Sequence, residues 1–296
     1  MNLNRINCIA LALTGGLVFS LPATAQTTTL FTDDFNRASL TTGAPTTYLT
    51  SVTAGDGGAS LVSSQFLRLT NDATAAANAS GRVFVTGETT SFTGFQSVLS
   101  TNSGELSWCF NAKSNRPSDP GGFGAGTYSL AVVLGATGSD LMSASGYAVA
   151  YGNPGSPDPI RLVRFSGGLD ADTNLTTLIS SGAADLAGFA DYFSVKVSYT
   201  TSNNEWRLFV RDDGASAWSA PTSIATQIGS ALADTTFTST PLTHFGYAWN
   251  YNSAASQSAQ FDNFSVSSLS AASAPEPSAL ALLLPGLALL GRRRQA

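Results

Sequence analysis

Short runs in which apolar and polar residues alternate recur along the chain, and segments rich in Gly, Pro, Asn, Asp and Ser separate them. Alternation with a period of two is typical of a β-strand that buries one face. The predicted strands cover residues 66–69, 82–85, 105–111, 128–134, 146–151, 160–165, 242–252 and 259–269. Only residues 184–190 indicate a short helix or helical turn. The chain is therefore predicted to be all-β.

The clearest pair of predicted strands is a hairpin formed by residues 192–200 and 206–211. Each strand carries its large apolar residues on one face: Phe193, Val195, Val197, Tyr199, Trp206, Leu208 and Val210. Residues 202–204 read Ser-Asn-Asn and supply the turn, because asparagine tolerates the left-handed backbone conformation.

Many short strands without a strand–helix–strand rhythm, within the length of one domain, predict an antiparallel β-sandwich of jelly-roll type. The predicted domain, residues 26–273, opens with Asp33-Asp34-Phe35-Asn36 and closes with Phe261-Asp262-Asn263-Phe264. These two motifs resemble the first and last strands of the concanavalin A-like, or laminin-G-like, jelly rolls. The resemblance implies that the first and last strands of the domain pair with each other.

The N-terminal residues 1–25 have the pattern of a secretory signal peptide, predicted to form a helix outside the domain. Arg5 precedes an apolar stretch at residues 8–21, and Ala23-Thr24-Ala25 follows it. Small residues in this Ala-x-Ala arrangement mark a cleavage site, so the mature chain is expected to begin at Gln26. The sequence therefore predicts export through the inner membrane.

The C-terminal residues 274–296 form a second segment outside the domain, with a hydrophobic helix at residues 279–290. At about 1.5 Å per residue this helix is roughly 18 Å long, which is short for a bilayer core of about 30 Å. Pro275-Glu276-Pro277 precedes this helix, and Arg292, Arg293 and Arg294 follow it. Pro285 interrupts the apolar run. The arginines fit the cationic cytoplasmic end of a membrane segment.

This tail resembles the PEP-CTERM sorting signal of Gram-negative bacteria. The resemblance implies that an exosortase processes the tail after transient insertion in the inner membrane. It also implies a destination at the cell surface or in the extracellular matrix, and a link to exopolysaccharide and biofilm. Retention of the tail as an anchor is the alternative to its removal.

Composition excludes some classes of partner. Residues 26–273 contain ten Lys and Arg against eighteen Asp and Glu, a net charge of −8, whereas a nucleic-acid-binding domain needs a basic face. Without Cys8 of the signal peptide, Cys109 is the only cysteine, so no intramolecular disulfide is expected in spite of export. Cys109 itself is expected to pack as a small hydrophobic residue.

The residues that could support catalysis do not form a familiar motif. Glycoside hydrolysis needs two carboxylates facing each other, but Glu88, Glu105 and Glu205 do not share a Glu-x-Asp-x-x-Glu strand. His244 is the single histidine, and no Gly-x-Ser-x-Gly elbow accompanies it. We therefore expect no enzyme activity and assign no catalytic residue.

Calcium is the cofactor that the sequence suggests. If the terminal strands pair, Asp33, Asp34 and Asp262 come close together, and carboxylate oxygens suit Ca²⁺. A second acidic stretch, Asp170 to Asn174, has the opening spacing of a calcium loop, but Leu175 and Ser181 exclude an EF-hand. The alternative for both clusters is solvated turn residues.

Two loops rich in Gly and Pro, residues 114–126 and 153–159, are long enough to form a binding rim. Arg116 and Tyr128 beside the first loop are the candidate sugar contacts. The alternating aromatic residues at 245, 247, 249 and 251 are either core or a sugar-stacking row.

The predicted function is a non-catalytic module associated with carbohydrate or exopolysaccharide on an exported protein. The alternatives are a structural matrix or adhesion protein without a specific ligand, and a polysaccharide-active hydrolase or lyase.

Overall fold

The computed structural model describes residues 24–55, 57–62, 65–71, 80–116, 120–155, 157–182, 190–253 and 258–270. Gln26–Ala271 form one compact unit. The predicted signal peptide up to residue 23, residues 184–189 of the predicted short helix, and the sorting signal at 274–296 lie outside the described residues. The domain bounds given above therefore stay predictions. In the part of the chain that is described, no helix is long and apolar enough to cross a bilayer.

The described residues form fifteen β-strands and four short 3-10 helices, without an α-helix. The strands are β1 (Gln26–Asp33), β2 (Leu49–Val52), β3 (Gly58–Val62), β4 (Phe66–Thr70), β5 (Gly81–Glu88), β6 (Glu105–Ser114), β7 (Ser129–Ala136), β8 (Gly146–Tyr151), β9 (Ile160–Phe165), β10 (Leu175–Ser180), β11 (Tyr192–Thr200), β12 (Glu205–Gly214), β13 (Gln227–Ala233), β14 (His244–Tyr251) and β15 (Ser258–Ser270). The predicted strands correspond to eight of these and to the β11–β12 hairpin.

The strands pair into two antiparallel sheets. The first sheet has the order β13-β12-β11-β6-β15-β4-β3, with β1 also paired to β15, and the second has the order β10-β9-β8-β7-β14-β5-β2. Many neighbours in space are distant in sequence, as in a jelly roll, where long connections carry the chain from sheet to sheet. The order places β15, near the C-terminal end of the domain, beside both β1 and β6.

Side chains on the inner faces of the two sheets form one core. The ring of Tyr147 on β8 lies 4.4 Å from that of Trp206 on β12, and the ring of Tyr247 on β14 lies 5.1 Å from that of Phe261 on β15, measured between centroids. Each pair joins strands of opposite sheets, so the sheets pack face to face. The predicted antiparallel β-sandwich of jelly-roll type is confirmed.

Two specific expectations about pairing are also confirmed. In the β11–β12 hairpin Tyr199 lies opposite Trp206, and Asn204 in the turn has a φ of 56°, in the left-handed region. The first strand pairs with the last, with Asp33 opposite Phe264. The terminal motifs of the domain are therefore neighbours, and this brings their polar residues to one place on the outside of the first sheet.

The aromatic row on β14 belongs to the core. Phe245, Tyr247, Trp249 and Tyr251 are all buried, so none of these rings is available to a sugar. Cys109 on β6 is buried and forms no disulfide, as expected. Burial raises the pKa of its thiol to about 11, which leaves the group protonated and unreactive at neutral pH.

Candidate functional site

A cavity lies on the outer face of the first sheet, where β1, β4, β11 and β15 end or bend. Its volume is about 660 Å³. We call it the Trp218 pocket, and it is lined by Asp34, Asn36, Gln65, Phe66, Tyr192, Ser216, Ala217, Trp218, Asp262 and Asn263. It therefore combines three aromatic rings with several carboxylate and amide groups.

The three aromatic rings form one wall of the pocket. Trp218, in the loop after β12, meets the Tyr192 ring edge-on at 4.9 Å and the Phe66 ring edge-on at 5.7 Å between centroids. All three side chains are half-buried, whereas the other tryptophans, Trp108, Trp206 and Trp249, are fully buried. An aromatic wall that stays in contact with solvent on an otherwise polar sheet face is a feature of binding sites.

A buried polar network fixes the loop that carries Trp218. The carboxylate of Asp213 accepts hydrogen bonds from the Ser219 amide (2.9 Å), the Ser194 hydroxyl (2.5 Å) and Arg211 Nε (2.5 Å). Burial alone would raise the pKa of Asp213, but these three donors outweigh it and lower the pKa below its ordinary value. The ionised Asp213 thus holds the residue next to Trp218 in place.

A β-bulge in β15 forms the opposite wall. Between Asp262 and Ser265, β15 has one residue more than its partner β6, and Asn263 adopts a φ of 50°. The Asn263 side chain donates to Asn111 Oδ1 on β6 (2.8 Å) and to Asp262 Oδ2 (3.1 Å). Bulges re-aim side chains beside functional sites, and this one aims Asp262 and Asn263 into the pocket.

The segment after β1 supplies the remaining polar groups. Asp33 and Phe35 are buried, while Asp34 and Asn36 alternate with them and are exposed. Phe35 has a φ of 51°, which is a true outlier for a bulky residue and indicates a strained backbone that its surroundings must hold. The alternation presents Asp34 and Asn36 to the pocket.

Asp33 is the group that holds this strained segment. Its carboxylate accepts hydrogen bonds from the Phe35 amide (2.8 Å), from Arg37 (2.5 and 3.0 Å) and from the Tyr48 hydroxyl (2.7 Å). Burial, followed by the charge of Asp33 and the hydrogen bond to it, raises the pKa of Tyr48, so the phenol stays protonated and donates. Both oxygens of the Asp33 carboxylate therefore accept hydrogen bonds from groups of the protein itself.

The electrostatics of the pocket are dominated by its carboxyl groups. Desolvation first, and then the negative charges of Asp34 and Asp33, raise the pKa of Asp262 from its usual 3.8 to about 7, although the Asn263 amide opposes the shift. A carboxyl group with a strongly raised pKa inside a cavity is a mark of a functional site. Asp262 can therefore be both a hydrogen-bond donor and an acceptor near neutral pH.

The predicted calcium ligands separate into two groups. Asp34 and Asp262 line the same pocket, but Asp33 points inward and its carboxylate is committed to Arg37 and Tyr48. Among the described residues, no three Asp, Glu, His or Cys side chains form a group that could hold a metal. The expected site of three aspartates is thus not formed, and any calcium here needs the neighbouring amide oxygens as ligands.

The second acidic stretch is held by an ion pair to β9 and by a hydrogen bond within the loop. Asp172 makes an ion pair with Arg161 (2.7 Å), and Asp170 accepts a hydrogen bond from Asn174 (2.7 Å). The Asp172 side chain is 15% exposed and that of Arg161 6%, so this pair differs from the solvated turn residues given as the alternative.

The predicted sugar contacts Arg116 and Tyr128 need a correction. Tyr128 is only 3% exposed and packs against Trp249 at 5.7 Å between ring centroids. The Arg116 guanidinium stacks on the Tyr128 ring at 4.2 Å and donates to the Asn252 side chain (3.0 Å). Because Tyr128 is buried beneath Arg116, its ring cannot stack on a sugar.

The residues considered for catalysis are engaged in other contacts. Glu105 and Glu205 share the guanidinium of Arg207, at 3.6 and 3.0 Å. Glu88 accepts a hydrogen bond from the hydroxyl of Thr90 (3.1 Å) at an exposed turn. His244 Nδ1 lies 2.9 Å from the Thr243 hydroxyl. None of these groups lines the Trp218 pocket.

The sequence reasoning missed the aromatic wall. Phe66, Tyr192 and Trp218 lie in three distant segments, and only the strand order β11-β6-β15-β4 brings them together. One signal could have found Trp218: it is flanked by small residues, alanine and serine, in a loop away from every alternating run. A tryptophan in that setting is not needed by the core.

Comparisons with known proteins find solved structures whose fold resembles that of this chain. No model of a protein family matches this sequence, and no curated protein sequence matches it. The legume lectin-like domain from Entamoeba histolytica is 9% identical, with a TM-score of 0.45, over 74% of this chain and 88% of that one. Metal-free lectin I-B4 from Griffonia simplicifolia is 11% identical, with a TM-score of 0.46, over 81% and 99%.

The exoplasmic/lumenal domain of VIP36, in its form bound to Ca²⁺ and Man3GlcNAc, is 14% identical, with a TM-score of 0.44, over 77% and 86%. All three TM-scores are below 0.5. The fold described above therefore rests on the strand order and register of this chain, and the site rests on its own residues.

Proposed function

We propose that this protein is a non-catalytic carbohydrate-binding module that binds glycan in the Trp218 pocket. The observation that carries the proposal is the position of Tyr192 and Trp218 opposite Asp34, Asp262 and Asn263. A sugar ring has apolar C–H faces and a rim of hydroxyl groups. The aromatic wall matches the faces, and the carboxylate and amide groups opposite match the rim.

The pocket is also prepared before any ligand arrives. Asp213 fixes the Trp218 loop, and the hydrogen bond from Asn263 to Asn111 fixes the bulge. A site whose side chains are already ordered loses less conformational entropy on binding, which favours affinity for a small polar ligand. The same rigidity is unnecessary in a protein that only fills space in a matrix.

The charges of the pocket limit the class of glycan. Asp34 and Asp262 raise the electrostatic cost of a further anion, so uronic acid or sulfated polymers are disfavoured. Neutral sugars, or sugars with free amino groups, avoid that cost. We accordingly propose a neutral or basic glycan of the cell surface or matrix as the ligand.

We propose calcium as a ligand of the same groups. Asp34 and Asp262 with the side-chain oxygens of Asn36 and Asn263 are hard ligands of the type that Ca²⁺ takes. When bound, the ion would neutralise the two carboxylates and orient sugar hydroxyls. A thermal melt with and without chelator tests this, and an unchanged melting temperature would remove calcium.

Export and exosortase sorting complete the proposal and rest on the sequence of the termini. Pro275-Glu276-Pro277, the apolar stretch and the arginines Arg292, Arg293 and Arg294 support them. Intact mass spectrometry of protein from the native cells measures both ends. The expected mature chain begins at Gln26 and lacks the arginines, and a chain that keeps both ends would contradict sorting.

Binding is tested with a glycan array and tryptophan fluorescence. Trp218 is the one tryptophan of four that is not fully buried, so a bound sugar should shield it from acrylamide quenching. We expect Trp218→Ala to abolish binding. Phe209→Ala is the matched control, because Phe209 is a half-buried ring on the same sheet face, under Lys196 (5.2 Å), outside the pocket.

Each outcome distinguishes the candidate functions. Specific binding without release of reducing ends supports the module, and turnover supports a hydrolase or lyase. Binding that survives Trp218→Ala, or is lost equally in Phe209→Ala, contradicts the assignment of the site. A blank array for well-folded protein favours a structural matrix protein.

A further inference from the structure

We propose that the Trp218 pocket is one end of a groove that binds several consecutive sugars of an extended polysaccharide chain. This inference rests on the proposed function and adds the form of the ligand. The groove follows β15 along the outer face of the first sheet. It consists of the Trp218 pocket, a middle cavity of about 490 Å³ and a far cavity of about 340 Å³.

The first two cavities adjoin each other at Trp218. They share three lining residues, Asp34, Trp218 and Asn263. The indole therefore stands between the two cavities and can contact a sugar on each side. A monosaccharide site needs one aromatic platform with one open side, whereas this arrangement suits two neighbouring rings of a chain.

The middle and far cavities also share residues. Thr32, Thr222 and Ser265 line both, so the groove continues past the Trp218 loop toward the C-terminal end of β15. From Asp262 to Leu269 this strand extends for about 23 Å at a rise of ~3.3 Å per residue. That span exceeds one sugar ring several-fold.

Threonine and serine hydroxyl groups, with the thiol of Cys109 among them, line the far cavity in two rows. Thr29 on β1, Ser267 on β15 and Ser107 on β6 lie side by side across three strands. The next row consists of Thr32 on β1, Ser265 on β15 and Cys109 on β6. Lys196 on β11 lies beside Cys109. Each row lines the far cavity. Hydroxyl groups donate and accept in the same pattern as sugar hydroxyls, so they can bond to a chain that passes above them.

The charges along the groove agree with a neutral chain. Asp34 and Asp262 lie at one end, and Glu105 at the other end is paired with Arg207. Lys196 is the basic side chain that lines the far cavity. An acidic polymer would meet two carboxylates at the Trp218 end, whereas a neutral polymer has hydrogen-bond partners along the whole floor.

Chain length is the variable that tests the groove. Two neutral ladders, cello-oligosaccharides and chito-oligosaccharides from the disaccharide to the hexasaccharide, are titrated by calorimetry and by quenching of Trp218. Each net hydrogen bond gained changes affinity on the order of fivefold. We expect affinity for the ladder that binds to rise at least about tenfold from the disaccharide to the hexasaccharide.

Variants that block only the far cavity separate this inference from the proposed function. Ser267→Tyr and Thr29→Tyr fill the floor from two different strands, so failure of one to fold leaves the other. Ser51→Tyr is the control, because Ser51 is an exposed serine on β2, at the edge of the other sheet. We expect the blocking variants to lower affinity for the hexasaccharide to that for the disaccharide, and the control to leave both unchanged.

The possible results are distinct. If the disaccharide and hexasaccharide bind equally well and Trp218→Ala abolishes both, the pocket binds sugar but the groove does not, and the inference is overturned. The same holds if the length dependence survives both blocking variants. If neither ladder nor any arrayed glycan binds, the inference and the proposed function fail together.

Discussion

Asp33 and Asp34 are adjacent in sequence, but the structure predicts opposite effects when each is replaced by alanine. The Asp33 side chain is 1% exposed and bonds to Arg37, which is 12% exposed. Removing one partner of a buried ion pair leaves an uncompensated charge and costs about 3–5 kcal/mol. Asp33→Ala also releases the Tyr48 hydroxyl and the Phe35 amide, so we expect the upper part of that range.

Asp34→Ala should be nearly neutral. Asp34 is exposed, and its side chain accepts a local hydrogen bond from the Asn36 amide (3.0 Å). Exposed substitutions of this type change stability by about 0.5 kcal/mol or less. Since a domain has a total unfolding free energy of about 5–15 kcal/mol, the contrast with Asp33→Ala is large.

Urea denaturation at pH 7 in the presence of chelator measures this contrast. The midpoints and slopes give the free energy of unfolding of the wild type, Asp33→Ala and Asp34→Ala. A loss below about 1 kcal/mol for Asp33→Ala would refute the structural role of Asp33. Equal losses for both variants in calcium, with none in chelator, would restore the three-aspartate calcium site.

Three further predictions concern the pocket and the core. Asp262→Asn should become more stable relative to the wild type as the pH rises from about 4 to about 7. The pKa of Asp262 is raised in the folded state, so the wild-type protein loses folding stability over that window and the variant does not. Melting temperatures measured against pH with no such trend would contradict the shift. Asp213→Ala should increase acrylamide quenching of Trp218, and unchanged quenching would mean that Asp213 does not position the loop. The loss of stability in this variant should shrink below about pH 4. The lowered pKa of Asp213 stabilises the folded wild type only at pH values above the ordinary carboxyl pKa. Gly246→Ala would place a Cβ 2.3 Å from the Val85 carbonyl oxygen and should cost about 1–3 kcal/mol in urea denaturation, and a neutral effect would show that β14 and β5 can separate.

The fold was accessible from the sequence where strands bury one face against the core. The β11–β12 hairpin follows from alternation, and the pairing of β1 with β15 was implied by the resemblance of the terminal motifs to the concanavalin A-like jelly rolls. Strands β2, β3, β10 and β13 were not predicted, because they are short or have few buried positions, and this hides the period of two. Strand pairing forms them, and local patterning does not.

The site was less accessible for a geometric reason. Alternation assigns residues to two faces but does not say which face is buried. The prediction that Tyr128 contacts a sugar needs an exposed ring, and the ring lies in the core. The bulge at Asn263 changes which residues point outward, and it depends on one additional residue relative to β6. Asp34 and Asp262 were correctly placed near each other. Asp33 points inward instead, where its carboxylate bonds to Arg37 and Tyr48.

A crystal structure of the protein with the tightest-binding oligosaccharide tests the central claim most directly. The account predicts sugar density against the Trp218 and Tyr192 rings on the outer face of the first sheet, continuing along β15 for longer ligands. Density at the loops of residues 114–126 and 153–159, with an empty Trp218 pocket, would contradict it.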